Sequence, residues 1–549
     1  VTLTTSAFAA QGRTHVLYTL AANGGPVRGE LALCVRPFQV DPPWQFLNAP
    51  GGLAMVKQIA AVEHGWRIGE RDAVFIPTGW TGRAALRFDE GEAAARLVTA
   101  GKLGGGHNDA EDEHGAASAA AVYPFDLQAG ERRSLLVEAG PFEGGRAEAG
   151  RTGAAAAEFA AIRELQKGDW AGLDRVRMSL PPGNEQLVAS VRASLAYILI
   201  NKDGPGFQPG SRSYERSWMR DGALTSAALL EFGMAEEVKG FIEWYAGYQF
   251  PDGAVPCVVD RRGADPVVEN DSHGQFVYAL AEYHRFTGDD AFVTKHFGAA
   301  EKAVAHIQSE RAKRMTAEYR GEGSRAEPGK AAAPLAAFYG LMPESISHEG
   351  YSAKPMHSYW DDFFTLKGLR DAAYLARVLK KGERAAAFAS AAEDMAACIK
   401  RSIELTRRAH GIAYIPGCVE LGDFDATSTT VAVNPCGVLN VLPREWVDET
   451  FERWWSFFEA RRDGRVEWED YTPYEWRIVG SLVTLGQRER AWEAAKWFMR
   501  DQNPARKEGD TSASGWLHWA EIVHKDRGAG KWIGDMPHTW VASDFLRSV

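Results

Sequence analysis

The chain has 549 residues, too many for one ordinary hydrophobic core, so two or more domains are expected. Hydrophobic residues make up 45% and charged residues 25%, the balance of a soluble globular protein, with no run of 18 apolar residues to cross a membrane. A net charge of -11 with no basic stripe argues against a nucleic-acid partner and against an anionic membrane surface.

Cys34, Cys257, Cys398, Cys418 and Cys436 lie far apart, are odd in number and include no C-x-x-C pair. Neither a zinc site nor a disulfide framework is expected from them. A single bridge stays open, and with it the compartment, bacterial cytoplasm or periplasm. No signal peptide is legible. The chain opens on Val1 instead of Met, which leaves room for a preceding segment.

Residues 1 to about 140 read as short strands such as His15 to Leu20, Glu30 to Val35, Ala73 to Ile76 and Ser134 to Glu138, with turn signals between them. That pattern predicts a β-sandwich over 1–150. Arg36 to Trp44 is too Pro-rich for a central strand and reads as a loop wedged between domains. Residues 101–119 are rich in Gly, Ala and acids and read as a mobile surface loop. His107, Asp109, Glu111, Asp112, Glu113 and His114 there fit a solvated acidic loop better than a metal site.

Ala154 to Gln166 is an Ala-rich helix, read as part of a linker over 151–182. After Pro181-Pro182-Gly183 the pattern turns helical almost to the end. Helices are expected near 184–201, 221–232, 234–249, 271–287, 289–313, 358–380, 384–406, 434–442, 444–461, 474–485, 487–501 and 537–548. Antiparallel hairpins with long loops after alternate helices predict an (α/α)6 toroid over 183–549. The long connections are 202–219, 250–270, 314–357, 407–433, 462–473 and 502–536, all expected on one face, where function concentrates. Part of one, 314–335, is Lys-, Arg-, Ala- and Gly-rich and reads as a mobile insertion.

Five stretches could carry chemistry. Ser213 to Gly222 packs Tyr214, Trp218 and four charges into ten residues. An aromatic ring can stack on the C–H face of a sugar while Arg220 and Asp221 hydrogen-bond its hydroxyls; a plain helix N-terminus is the alternative. Trp360-Asp361-Asp362 sets two carboxylates among aromatics, where burial and mutual charge keep one protonated; helix capping is the alternative. Glu521 follows Trp516 and Trp519 and precedes His538 and Trp540; the alternative is an amphipathic helix over 514–525 with Glu521 exposed. Glu467 to Trp476 has four carboxylates among four aromatics and suits a cleft wall. At Glu269 to Gln275, capping by Asp271 outweighs a ligand contact. No dinucleotide fingerprint, P-loop, H-E-x-x-H or G-x-S-x-G is present. Carboxylates, aromatics and arginine remain, the residues of glycoside cleavage.

The order β-sandwich, helical linker, (α/α)6 barrel resembles bacterial glucoamylase-type enzymes, glycoside hydrolase family 15 and its relatives in the six-hairpin glycosidase superfamily. Trp218-Met219-Arg220-Asp221 is similar to their W-x-R-D segment, whose Arg and Asp bind the terminal sugar. Trp360-Asp361-Asp362 stands where they have W-E-E, which implies Asp361 as general acid, with Asp362 as the alternative. Ala520-Glu521 resembles their S-E and implies Glu521 as general base. Glu469-Asp470-Tyr471 resembles their P-E-D-x-Y wall but lacks its Arg.

The resemblance implies an inverting exo-glycosidase on an α-linked glucoside or related oligosaccharide, with no metal or organic cofactor. The two carboxyls are then expected about 6.5–9.5 Å apart. Tyr214, Trp218, Arg220, Asp221, Trp360, Asp362, Trp468, Glu469, Trp519 and His538 are the expected sugar contacts. Three rivals remain: a phosphorylase or transferase on the same barrel, a polysaccharide lyase using Tyr351, His348 and His357, and a non-catalytic carbohydrate-binding protein. The sequence is silent on oligomeric state.

Overall fold

A computed structural model describes residues 1–10, 12–39, 53–142, 155–211, 213–321, 332–503, 515–527 and 531–549. Most of the Pro-rich stretch Arg36 to Trp44, and residues 322–331 of the expected insertion, lie outside the described residues. The chain divides into two compact units, Val1–Ala171 and Gly172–Val549.

The first unit is built of antiparallel strands. One sheet has seven strands, in the order Thr2–Ala10, Arg13–Ala21, Arg132–Pro141, Asp72–Phe75, Gly65–Ile68, Gln58–Val62 and Ala110–Glu111. The second has three, Val27–Val35, Ser118–Leu127 and Gly82–Leu86. Both sheets contribute to one apolar core, in which Leu33, Ala85 and Tyr123 meet Ile59, Trp66 and Leu135. Ala119, Ala120 and Ala121 of the central strand are fully buried because both of its faces are covered. The outer face carries helix α1 (Ala93–Ala100), packed on Ala84, Leu86, Ala120 and Val122. A helix can lie that close only over small side chains.

Two expectations change in this unit. The acidic segment 101–119 is organised around Asp112, which is 6% exposed. Its carboxylate accepts amide hydrogens from Phe88 at 2.7 Å, His114 at 3.0 Å and Ala116 at 3.1 Å. The Ala-rich helix α2 (Ala155–Trp170) packs back on the larger sheet, with Ala155 and Phe159 against Leu136.

The second unit contains twelve helices among the described residues. They are α3 (Glu185–Ile200), α4 (Met219–Glu231), α5 (Ala235–Ala246), α6 (Ser272–Thr287), α7 (Asp290–Ala312), α8 (Tyr359–Val378), α9 (Gly382–His410), α10 (Ala426–Val433), α11 (Arg444–Arg462), α12 (Trp476–Thr484), α13 (Arg488–Met499) and α14 (Thr539–Ser548). Eleven lie where hydrophobic periodicity put them. The helix expected at 434–442 lies upstream as α10. Asn434 precedes Pro435, is extended (φ −147°, ψ 118°) and ends it, while Asp425 caps it by accepting the Ser428 amide at 3.0 Å. The segment 427–433, expected within the long connection 407–433, is rich in Thr and Val, residues of high strand propensity, and tertiary packing overrides that propensity.

The even-numbered helices form a closed cycle: α4 touches α6, α6 touches α8, and so on through α10, α12 and α14 back to α4. The odd-numbered ones flank it, α5 beside α4 and α6, α7 beside α6 and α8, α3 beside α14. Burial follows that order. Twelve of the 13 residues of α4 are buried, against nine of the 29 in α9. A helix enclosed on all sides must bury whatever polar residues it carries, and α4 buries Arg220 and Asp221. No helix among the described residues is long and apolar enough to cross a membrane.

The tightest crossing is α6 on α8. A Cβ on Gly274 would lie 2.0 Å from the Phe364 carbonyl oxygen, and one on Gly368 would lie 2.5 Å from the Gly274 Cα. Gly274→Ala is therefore expected to lower the urea midpoint, by about 1–3 kcal/mol of stability or more. Gly298→Ala on α7, where nothing lies within 4 Å, should raise it by about 0.5–1 kcal/mol. Equal effects of the two changes would mean that the α6–α8 contact is not this close.

Candidate active site

The N-terminal ends of the even-numbered helices carry the polar residues. Arg220 and Asp221 open α4, Asp271 precedes α6, Asp361 and Asp362 open α8, Asp425 precedes α10, Tyr474 precedes α12 and His538 precedes α14. Each end exposes backbone N–H groups and the positive end of a helix dipole, which favours acids there.

Arg220 is the centre. It is 3% exposed. Its Nη1 pairs with Glu269 and lies 3.7 Å from Asp271, its Nε lies 3.8 Å from Asp221, and its guanidinium sits 5.2 Å from the Trp540 ring centroid. Burial pushes Asp221 up to about 7, with Arg220 opposing the rise and the charge of Glu349 adding to it. Burial drives Glu269 well above the ordinary carboxylate range, again against Arg220. A second buried pair, Arg477 Nε to Asp544 at 2.7 Å, lies alongside, with the Arg477 guanidinium over the Trp360, Tyr474 and Trp540 rings.

Asp271 is not a helix cap. Its carboxylate makes no capping bond and instead accepts the Trp360 indole N–H at 2.7 Å and the Gln275 amide at 2.8 Å. Trp360 thereby joins α8 to the Arg220 cluster. The cap of α8 is Ser358, not either aspartate. Asp361 is 1% exposed and has both oxygens occupied, by the hydroxyls of Ser345 at 2.6 Å and Ser347 at 2.8 Å. Burial and the Asp271 charge push it well up, against those hydroxyls. Asp362 turns to a different side, where it accepts the Met342 amide at 2.9 Å, and burial raises it to about 7.

Glu521 sits on irregular chain, not on a helix, and is 8% exposed. The strand Val523–His524 just beyond it pairs with Asp470–Tyr471. The Tyr474 phenol donates to Oε1 at 3.0 Å, and the Tyr214 phenol also favours the ionised carboxylate. Oε2 is buried with no hydrogen-bond partner among the described residues. Gly534, at φ +71°, allows the chain to pass so near that a Cβ there would lie 2.4 Å from Oε2. Burial raises Glu521 to about 7, the two phenols oppose it, and the charges of Glu349 and Asp535 add to it. His538 Nε2 is 2.7 Å from the Tyr474 oxygen, and burial lowers its pKa to about 3. Tyr474 has one proton and gives it to Glu521, so the neutral His538 is the donor to Tyr474.

Tyr214, Arg220, Asp221, Trp360, Asp361, Glu521 and His538 are thus linked through one network of contacts. Trp218, 4% exposed, backs Tyr214 together with Cys257 and Val258. Four expected sugar contacts fall elsewhere, Asp362 on the Met342 side of α8 and three more in the core or on the surface. Trp519 is fully buried, donates to the Phe498 carbonyl at 2.8 Å and packs on Trp476 and Phe545. Trp468 packs on Tyr471 and Trp497. Glu469 is an exposed partner of Lys531. All three are aromatics or acids whose type suggested a cleft and whose places in the fold are core or surface. Glu269, Tyr474 and Glu349 were missed as site residues. Glu269 stood in a stretch read as a helix N-terminus and Tyr474 in one read as a cleft wall, and the signal for Glu349 was the charged, Gly-containing run His348-Glu349-Gly350-Tyr351 just upstream of α8.

No family model matches the chain. A bacterial glucoamylase solved in complex with acarbose superposes with a TM-score of 0.55 at 11% identity, covering 97% of this chain and 81% of that one. The chain has the glucoamylase fold. A rhamnosidase from Klebsiella oxytoca with rhamnose bound aligns at a TM-score of 0.47 and 13% identity over 95% of each chain. An uncharacterized glycosyl hydrolase of Methanocaldococcus jannaschii is 26% identical over 134 residues; the match spans 23% of this chain and 21% of that relative.

The elevated Glu521 has a consequence for stability. Its pKa in the fold, about 7, lies above its unfolded value, so the fold prefers the protonated acid. That preference is intact below about pH 4 and is lost as pH rises through about 7. Glu521→Gln removes the loss. The variant should gain on wild type between pH 5 and pH 8, by at most on the order of 3 kcal/mol. Parallel urea titrations at the two pH values check this; a constant difference would place Glu521 in water.

Proposed function

We propose that this protein is an inverting glycoside hydrolase that releases a terminal sugar from an α-linked glucoside or a related oligosaccharide. In this reading the twelve helices make an (α/α)6 toroid, with the site at the N-terminal ends of the inner six. The closed cycle from α4 through α14 supports the toroid.

One observation carries the chemistry. Glu521 is a buried carboxyl near pKa 7, held on Oε1 by the Tyr474 phenol, with its other oxygen unbonded among the described residues. A general base needs that combination: fixed orientation, an available lone pair, and a proton affinity matched to neutral pH. Across the network, Arg220, Asp221 and Glu269 offer donors and acceptors for sugar hydroxyls, and Tyr214 and Trp540 supply ring surface. The glucoamylase fold and the short match to a named glycosyl hydrolase agree with this reading.

Glu521 then takes a proton from a water as the water oxygen bonds to the anomeric carbon from the face opposite the leaving group. The reaction also needs a second carboxyl to protonate the leaving oxygen. Asp361, read from the sequence for that role, has both oxygens taken up by Ser345 and Ser347.

Purified protein should release a monosaccharide of inverted anomeric configuration from α-linked disaccharides or aryl α-glycosides, without inorganic phosphate, as followed by proton NMR. Retained configuration or an absolute requirement for phosphate would sink the hydrolase reading.

The acidic limb of kcat/KM should show an apparent pKa near 7, because Glu521 must be ionised. Tyr474→Phe removes a donor that favours the ionised form and should move that limb up by about one unit. An unmoved limb would assign it to another group.

A further inference from the structure

We propose that Glu349 is the general acid of this site and that Asp361 is a positioning residue for the loop that carries it. The proposal rests on the glycosidase reading above.

The segment from Ser345 to Tyr351 lies over the N-terminal end of α8 and is pinned on both sides of Glu349. Upstream, Ser345 exchanges two backbone hydrogen bonds of 3.0 Å with Met356, and its hydroxyl and that of Ser347 both donate to Asp361. The Ser347 amide in turn donates to the Ser345 hydroxyl at 2.8 Å. Downstream, the Tyr351 phenol donates to Asp423 at 3.0 Å. His348 bonds Ser428 at 2.8 Å and packs its ring 5.0 Å from that of Trp360, itself bonded to Asp271 of the Arg220 cluster.

Between these anchors the backbone takes an unfavourable course. Ser347 has φ +50° and Glu349 φ +63°, a region that non-glycine residues rarely enter. A residue is kept there only when its surroundings over-determine it, and such residues cluster at functional sites. Had the chain needed only a turn, Gly350, one residue on, could have taken the left-handed conformation at no steric cost.

The course brings the Glu349 carboxylate among the site residues. Its charge acts on Tyr214, Arg220, Asp221, Glu269 and Glu521, which come from different parts of the chain and meet only here. Unlike Asp221, Glu269, Asp271 and Asp361, which are buried, Glu349 is exposed. It is an exposed acid within the charge field of Glu521. Asp361 does the opposite work: it binds the two serines that set the loop and touches no open space.

In the reaction, the Glu349 carboxyl gives its proton to the glycosidic oxygen as the bond from that oxygen to the anomeric carbon breaks. Glu521 takes a proton from the attacking water, whose oxygen forms the new bond. One water is consumed. Glu349 is left ionised and Glu521 protonated, and proton exchange with solvent restores both.

The test compares full-length Glu349→Gln and Asp361→Asn with wild type on two substrates, the responding disaccharide and the matching glycosyl fluoride. Fluoride leaves without protonation, so loss of the acid affects it little. Glu349→Gln should lose on the order of 10²–10⁴-fold in kcat/KM on the disaccharide and remain within about tenfold on the fluoride. Asp361→Asn should fall on both substrates in similar proportion.

Disaccharide turnover by Glu349→Gln within about tenfold of wild type overturns the assignment alone, as does selective survival of the fluoride reaction in Asp361→Asn. Wild type inactive on both substrates overturns the glycosidase reading and the assignment with it.

Discussion

One buried guanidinium holds this site together. Arg220 has Glu269, Asp271 and Asp221 around it and Trp540 against its face. Taking any of these ions out of water alone costs several kcal/mol, and removing one partner leaves the others uncompensated. The cluster is stable only complete, so α4, α14, the segment before α6 and, through the Trp360 indole, α8 must all be in register for Arg220 to be neutralised. With three acids to one cation, the cluster cannot stay fully ionised at low cost. Burial accordingly sets Asp221 near 7 and Glu269 well up. A mixture of protonated and ionised carboxyls suits a sugar, whose hydroxyls each need both a donor and an acceptor.

The same acids answer a second constraint. The six even-numbered helices present six N-terminal ends, each with unpaired amides and a partial positive charge. Asp221, Asp361 and Asp362 lie in first turns, and Asp425 caps α10 directly. Carboxylates that would repel one another elsewhere are each favoured locally by a helix end. Arg477, paired with Asp544 and covered by three rings, adds a second cation.

Much of the fold was legible because hydrophobic periodicity is local. Eleven helices of the second unit lie close to their expected places, and strand alternation marked the first. The misplaced helix, α10, is Thr- and Val-rich, so packing and not propensity makes it helical. At the site, Arg220, Asp221 and Glu521 were legible because charged residues amid aromatics are hard to place in a core. Residue type misled where it was ambiguous: Trp519 is core, and Glu469 is a surface partner of Lys531. Asp271 looked like a cap because it opens a helix, and only the Trp360 indole, 89 residues away, shows its task. Glu349 carries no periodicity and no cap pattern. Its position depends on φ angles and on serines bound by Asp361, which sequence spacing does not reveal.

Burial then sorts the carboxyls by what they can do. An acid that gives up and regains a proton in every turnover must have an oxygen free to meet the substrate. Asp361 is 1% exposed, and each of its oxygens already takes a serine hydroxyl. Glu521 has one oxygen held and one unbonded among the described residues, which is enough for orientation and for chemistry. Glu349 has its backbone fixed in place of its carboxylate. Its anchors lie in Ser345, Ser347, His348 and Tyr351, and the strain at φ +63° is borne by the loop. Rigidity is thereby assigned to the residues around the acid, and the carboxyl itself is left able to exchange its proton.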